Sequence, residues 1–389
     1  MNDNHLIIGF DAKRIVRNGT GLGSYGRTLV NSLAAAADND YRLYVPDLGR
    51  DELRFQVREQ PHVRFVEPAK RFFPPLRGLQ KSLWRSRGIV NDLVRDGVQL
   101  FHGLSGELPV GLRRHGIRSV VTIHDLIFMR YPQFYNPLDV FIYKRKFYSA
   151  VRQADRIVAI SECTKHDILN FSDVAEDKID VIYQSCDTRF KARVDEETKR
   201  MVAQKYHLPA RFVLNVGTIE ERKNVLLAVK ALLQLPDEHL VIVGKETKYA
   251  QKVRQFVDHH RLSDRVHFLS GVPNDDLFAI YQLAAAFVYP SRYEGFGIPV
   301  IEAIQSGLPV VAATGSCLEE AGGPDCLYVD PDDERALAQA IRQLLNEDDD
   351  REERLRANSA YISRFENADV AQRMLDEYED VLRADARRI

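Results

Sequence analysis

The sequence predicts an α/β protein built from two doubly wound, parallel-sheet domains, and three observations carry that prediction. Short apolar runs of strand length alternate with amphipathic helical periods along the chain, the pattern of parallel sheets covered on both faces. The 389 residues, 45% hydrophobic and 28% charged, suffice for two domains of about 150 to 200 residues each. A polar, charged stretch without apolar period, residues 185–205, separates two such series.

In the first series the strand candidates are residues 6–10, 42–45, 63–66, 100–102, 119–123, 156–160 and 179–182. In the second they are 212–216, 240–243, 266–269, 286–289, 310–312 and 326–329. From about Asp332 the tail is helical in period, with Leu337, Ile341, Leu344 and Leu345 on one face. The expected domains are therefore 1–190 and 191–370, with a helix at 371–389 that crosses back to the first.

Composition excludes several function classes. A net charge of −2 gives no nucleic-acid signature. The apolar run 6–10 is too short for a signal-peptide core, and no run approaches the roughly 20 residues of a membrane span, so a cytoplasmic protein is expected. Cys163, Cys186, Cys317 and Cys326 are scattered without a C-x-x-C pair and read as packed thiols.

In doubly wound sheets the ligand lies beyond the carboxyl ends of the strands, so chemistry is sought there. Residues 21–26 spell G-x-G-x-x-G after the first strand, with a helix expected from Ser24 and an acid, Asp47, about 20 residues on. That resembles a dinucleotide turn. About ten residues, 11–20, intervene between strand and glycines, however, so they are assigned to a longer loop. Later strands run into His124-Asp125, into Gly217-Thr-Ile-Glu-Glu-Arg-Lys-Asn224 and into Pro290-Ser-Arg-Tyr-Glu-Gly-Phe-Gly-Ile-Pro-Val-Ile-Glu302.

The last stretch is the most informative. Pro299 sits where the first turn of a helix tolerates it, so a helix is expected from Ile298 with its leading N–H groups turned to the crevice, a site for phosphate. Glu302, about one turn in, can accept hydrogen bonds from two vicinal hydroxyls, and Glu294 can meet a sugar beyond the phosphates. The alternative is a solvated loop acid and a surface helix residue.

Glu294-Gly-Phe-Gly-Ile-Pro-Val-Ile-Glu302, followed by Ala303, Gly307 and Pro309-Val-Val311, resembles the E-x7-E signature of glycosyltransferase family 4, whose retaining enzymes share the two-domain GT-B fold, two Rossmann-like domains facing across a cleft. The glycine loop, His124, Ala159-Ile-Ser-Glu162, residues 217–224, Val243-Gly244 and residues 268–271 fall in family order. The resemblance implies that Glu302 holds the nucleotide ribose, Glu294 the donor sugar, the backbone of Gly297 and Ile298 the diphosphate, and Gly271 and Val272 the base. Lys223 matches the family lysine on the diphosphate. Thr218 stands where many members have arginine, leaving Arg222 as the second cation. Gly21 and Gly23 would let the loop backbone approach the diphosphate, and His124 would touch the transferred sugar.

The implied reaction moves a hexose, mannose first, from a nucleotide diphosphate sugar such as GDP-mannose to a glycan or lipid-linked acceptor, with retention. No metal or cofactor is implied; the D-x-D at Asp38 to Asp40 ends a helix and is read as solvated. Rival readings are an NAD-dependent dehydrogenase, a nucleotide-sugar epimerase on the same fold, and a non-catalytic membrane-surface scaffold. Residues 70–87 contain no acid and set Trp84 among Lys70, Arg71, Arg77, Lys81, Arg85 and Arg87, which suits an anionic membrane on the inner face of the cell membrane. Alternatively Phe72, Leu76, Leu79 and Leu83 pack a helix on the core while the cations face water.

Overall fold

The computed structural model describes residues 5–69, 72, 76–346 and 350–386. It separates into two compact units, Met1–Ser185 with Phe365–Ile389 and Cys186–Arg364. The division thus falls at Ser185, against 190 drawn from sequence, and the chain rejoins its first unit at Phe365, against 371.

Unit 1 is a seven-stranded parallel sheet of β1 (Ile7–Asp11), β2 (Asp40–Tyr44), β3 (Val63–Val66), β4 (Leu100–Gly103), β5 (Arg118–Ile123), β6 (Arg156–Ala159) and β7 (Ile179–Val181). Their spatial order is β3-β2-β1-β4-β5-β6-β7. Nearly continuous apolar runs make these strands because helices cover both faces: Ile8, Phe10, Leu100, Phe101, Val120 and Val121 are all fully buried. Strand order reverses between β1 and β4, where Ile8 pairs with Leu100 and Phe10 with His102. A crevice at the carboxyl ends belongs there.

The glycine-rich segment is not the loop expected. A short helix α1 (Lys13–Arg17) follows β1, and α2 (Gly21–Ala36) begins at the first glycine, so Gly21 and Gly23 both lie in the first turn of a helix. The reason is steric. A Cβ on Gly23 would lie 1.8 Å from the carbonyl oxygen of Asn18 and 2.8 Å from that of Arg14, and one on Gly26 2.8 Å from Ile15 Cγ1. Those two glycines let α2 close on α1, whereas Gly21 faces open space.

The basic stretch is also corrected. Lys70 and Arg71 lie outside the described residues. Helix α3 (Arg77–Leu83) leads into a wide turn, Trp84–Gly88. Trp84 is buried with Ile89, Val90 and Leu93, and its indole N–H donates to Asp92 Oδ2 at 2.8 Å. Arg85 turns inward to Asp11 and lies 3.3 Å from Glu107, while Lys81 pairs with Asp47. Arg77 and Arg87 remain exposed, and so, against the packing alternative, do Leu76, Leu79 and Leu83, at 57%, 59% and 55%. Acids of the same unit, Asp92 and Asp11 buried and Asp47 and Glu107 half-buried, took the tryptophan and two cations, and the i, i+3, i+7 leucines were left outside. Helix α4 (Pro137–Gln153), capped by Asn136, buries Val140, Phe147, Ala150 and Val151 and turns Leu138 and Phe141 to solvent. Among the described residues no helix is long and apolar enough to cross a membrane.

The C-terminal helix, Asn367–Ala386, completes the core of unit 1. Val370, Ala371, Met374 and Tyr378 are buried with Leu29 and Leu33 of α2, and the Tyr378 hydroxyl lies 2.7 Å from His102 Nδ1.

Unit 2 is a six-stranded parallel sheet of β8 (Val213–Val216), β9 (Leu240–Val243), β10 (Val266–Leu269), β11 (Ala286–Tyr289), β12 (Val310–Ala313) and β13 (Leu327–Val329), in the order β10-β9-β8-β11-β12-β13. The stretch read as linker holds a helix, Glu196–Lys205, and a turn, Thr188–Lys191. Phe190 of that turn packs edge-on against Phe278 and Tyr281, with centroids 4.6 and 5.3 Å away. A single buried aromatic leaves no period, which is why the sequence does not display it.

Candidate active site

Strand order in unit 2 reverses between β8 and β11, and the two segments flagged in the sequence leave the carboxyl ends of those two strands. After β8 the chain makes a tight turn, Glu221–Lys223, and Asn224, at φ 54°, starts the next helix. The Asn224 side chain ties this turn to the other segment by donating to the carbonyls of Pro290 at 3.1 Å and Pro331 at 2.8 Å. Gly217 is required for close approach: a Cβ there would meet the Lys223 side chain at 3.1 Å, and the backbone sits at φ 151°.

Four groups converge on one carboxylate. Glu294 Oε1 accepts from Lys223 Nζ at 3.1 Å, the Tyr289 hydroxyl at 3.0 Å and Ser291 Oγ at 2.8 Å. Its Oε2 lies 2.9 Å from Arg222 Nη1. Tyr289 also receives Lys223 Nζ at 2.6 Å. Burial raises the Glu294 pKa, but Lys223 and Arg222 outweigh it and hold the carboxyl down at about 2. The same ion pairs, working against burial, push the Lys223 and Arg222 pKa values up. The Arg222 side chain is 12% exposed, as is that of Glu294, so it lies inside the cluster and not on the surface.

Helix α5 (Ile298–Gln305) begins where expected, with Gly297 as its cap at φ 119° and Pro299 in the first turn. A Cβ on Gly297 would lie 2.8 Å from Leu318 Cδ2, so glycine is needed for both packing and backbone. The leading N–H groups of such a turn have no intrahelical partner and a positive dipole end behind them. Glu302, one turn in, accepts from the Tyr281 hydroxyl at 2.8 Å. Burial lifts its pKa to about 7, opposed by that hydrogen bond and reinforced by Asp187. The two glutamates are thus held in opposite protonation tendencies: Glu294 ionised by two cations, Glu302 poised near neutrality. Gly271, at φ 69°, and Val272 follow β10, two strands away from β8 along the same sheet edge.

In unit 1, His124 follows β5 and is 9% exposed. Its Nε2 lies 2.8 Å from the Leu104 carbonyl oxygen and its Nδ1 2.7 Å from Gln184 Nε2. Burial is the main force lowering its pKa to about 4, so the ring is neutral. Sequence reasoning had no signal for Gln184, Tyr281, Tyr289 or Ser291, because the tyrosines belong to apolar strand and helix patterns and the other two are ordinary polar residues.

Unit 2 thus offers an anion a half-buried lysine and arginine and a helix start, with a carboxylate one turn along that can take vicinal hydroxyls. Residues 19–190 match the model of Glycosyltransferase Family 4, and residues 198–360 that of the Glycosyl transferases group 1. The chain is 30% identical over 346 residues to O-antigen chain mannosyltransferase B of Escherichia coli, covering 86% of this chain and 89% of that one. It is 31% identical over 228 residues to O-antigen chain mannosyltransferase RfbU of Salmonella typhimurium, covering 58% of this chain and 60% of that one. Among solved structures, a sucrose-phosphate synthase from Thermosynechococcus elongatus superposes with a TM-score of 0.76 at 22% identity, over 98% of this chain and all of that one.

Proposed function

Because the chain belongs to glycosyltransferase family 4 and has the GT-B fold of two parallel-sheet Rossmann-like domains, we propose that it moves a hexose, mannose first, from a nucleotide diphosphate sugar to a hydroxyl acceptor with retention and without metal. The observation that carries this reading is the cluster of Lys223, Arg222 and Glu294 beside the start of α5, with Glu302 one turn along. Lys223, Arg222 and the amides of Gly297 and Ile298 would neutralise the leaving diphosphate. Charge developing in a water-poor site is stabilised strongly by donors already in place. Glu302 would hold the ribose, Gly271 and Val272 the base and Glu294 the sugar hydroxyls; in unit 1 the same reading gives Gly21 the diphosphate and His124 the transferred sugar, while Gly23 serves the packing of α2 on α1. The bond from the anomeric carbon to the phosphate oxygen breaks as the acceptor oxygen bonds on the same face, and the acceptor proton passes to the leaving phosphate. GDP-mannose is the first donor to try, because both curated relatives described are mannosyltransferases by name.

The acceptor in this reading is a lipid-linked or cell-surface glycan intermediate at an anionic membrane. Support comes from the exposed apolar residues Leu76, Leu79 and Leu83 with Arg77 and Arg87 beside them, and from Leu138 and Phe141 on α4 with Arg145 stacked 5.6 Å from the Phe141 ring. Glu107 pairs with Arg85, next to the first of these faces in sequence, and with Lys146 of α4. Such a face combines apolar anchoring with attraction to anionic headgroups.

Thermal stabilisation by a panel of nucleotide sugars, each with and without EDTA, tests the reading. GDP-mannose is expected to stabilise most, equally in EDTA. Stabilisation by reduced dinucleotide alone, or turnover that vanishes in EDTA and returns with Mg2+ or Mn2+, would replace it.

A further inference from the structure

Three neighbouring strands of unit 1 end at one edge of the sheet, and the residues just beyond them meet. His124 follows β5, Ser161 follows β6 and caps the next helix, and Gln184 lies three residues beyond β7. Gln184 is 7% exposed, and its side-chain nitrogen sits 2.7 Å from His124 Nδ1. The chemistry of the two partners settles the imidazole's protons. A backbone carbonyl only accepts, so the nitrogen 2.8 Å from the Leu104 oxygen, Nε2, carries the hydrogen. In the neutral ring Nδ1 is then bare, and the group facing it must be a donor, which the Gln184 amide is.

We propose that Gln184 is the positioning residue that keeps His124, its Nε2–H set by the Leu104 carbonyl, neutral and oriented by donating to Nδ1, so that His124 meets the donor sugar as an uncharged wall and moves no proton in turnover. The proposal rests on the reading of His124 as sugar-facing. The surroundings agree with it. The Tyr25 ring stands edge-on at 4.7 Å, but its hydroxyl is directed to Thr122 Oγ1 at 3.0 Å. Thr164 donates to the His124 backbone carbonyl at 3.3 Å, fixing the main chain of the same residue. The charged group that reaches the ring is Arg14, which opposes its protonation; His102, buried and neutral, is held by Tyr378 and Thr122. Among the described residues no carboxylate contacts either ring nitrogen, so protonation would bring a second N–H against an amide that must turn over to accept it.

Long-range proton–nitrogen NMR of the full-length chain labelled at histidine tests this, with His124→Asn used only to identify the signal. Wild type is expected to show the Nε2–H pattern without titration between about pH 6 and pH 8.5. Gln184→Glu puts a carboxylate at Nδ1, favours the doubly protonated ring and raises its midpoint by about one pH unit or more. The pH profile of kcat/KM should then gain a limb that wild type lacks. Gln184→Leu leaves the Leu104 carbonyl holding Nε2–H but takes away the partner of Nδ1, so the tautomer should persist while the less tightly oriented ring lowers kcat by about tenfold to a hundredfold with a smaller change in KM. A wild-type ring that titrates near the ordinary value of about 6.5 overturns the proposal. So does a Gln184→Leu kcat within about twofold of wild type, or a Gln184→Glu profile identical to wild type. If no donor supports transfer, the functional reading fails, and the NMR arm still decides the role of Gln184.

Discussion

Lys223 Nζ lies 3.1 Å from Glu294 Oε1. Because Arg222 holds the other oxygen of the same carboxylate, one glutamate already engages both cations proposed for the diphosphate, and Arg222 pairs with Glu220 as well. On the proposed reading an arriving diphosphate would have to take them over, and that exchange would free Glu294 for the sugar.

Glu294→Gln is therefore expected to abolish transfer yet bind nucleoside diphosphate more tightly, by about tenfold, roughly 1.4 kcal/mol. Without ligand the variant should be less stable by about 3 kcal/mol, since removing one partner of a buried ion pair leaves charge uncompensated. Diphosphate should restore much of that loss. Calorimetry and thermal melts read both effects. Equal or weaker diphosphate binding by the variant would show that the carboxylate does not compete for the cations.

Glu302 gives a pH dependence of defined sign. Its folded pKa of about 7 lies above the ordinary 4.5, so its protonated form contributes stability fully below about pH 4.5, and that contribution is lost as pH rises through 7. Only the ionised form accepts from both ribose hydroxyls, so binding at pH 6 must expel a proton. Nucleotide affinity should fall about tenfold per pH unit below 7. Titration calorimetry in buffers of different ionisation heat should show close to one proton released at pH 6 and none at pH 8.5. Glu302→Gln should remove that difference, and a wild type that releases no proton would sink the ribose assignment.

The two leading glycines of α2 should respond differently to alanine. Gly23→Ala sets a methyl group 1.8 Å from the Asn18 carbonyl, and chemical denaturation should show a loss of about 2 kcal/mol or more. Gly21→Ala meets nothing within 4 Å and should stay within about 0.5 kcal/mol of wild type. Any loss of turnover in Gly21→Ala then belongs to the donor. Full activity there would leave Gly21 a plain helix start.

Binding to vesicles rich in anionic lipid should be salt-sensitive and should fall when Leu138 and Phe141 of α4 are changed to serine, or Arg77 and Arg87 to glutamine. Trp84→Phe should weaken folding through the lost bond to Asp92 before it weakens binding. Co-sedimentation at low salt decides this. A wild type that stays in the supernatant makes a soluble glycan the better acceptor.

Much of this was legible because it is local. The strand runs are continuous and apolar, and the spacing from Glu294 through Pro299 to Glu302 fixes a helix start between two acids without tertiary help. What the sequence hid depends on distant partners. Trp84 and Arg85 looked like surface anchors until Asp92, Asp11 and Glu107 were brought to them. Gly23 looked like ligand clearance, and its clearance is for Asn18 of its own chain. Tyr289 carries no motif, yet its hydroxyl joins Lys223 to Glu294.

The helix that seats Tyr378 against His102 has a consequence for how the molecule is made. A ribosome delivers residues 186–364 after the first sheet and before the helix that finishes it. Val370, Met374 and Tyr378 are absent from the first core until then, and the surface of Leu29, Leu33 and His102 that they cover stays wet. The second unit is contiguous and can close while the first still waits. The order of completion during synthesis is therefore the reverse of the order of translation, and a stall late in the message would strand the half that was made first.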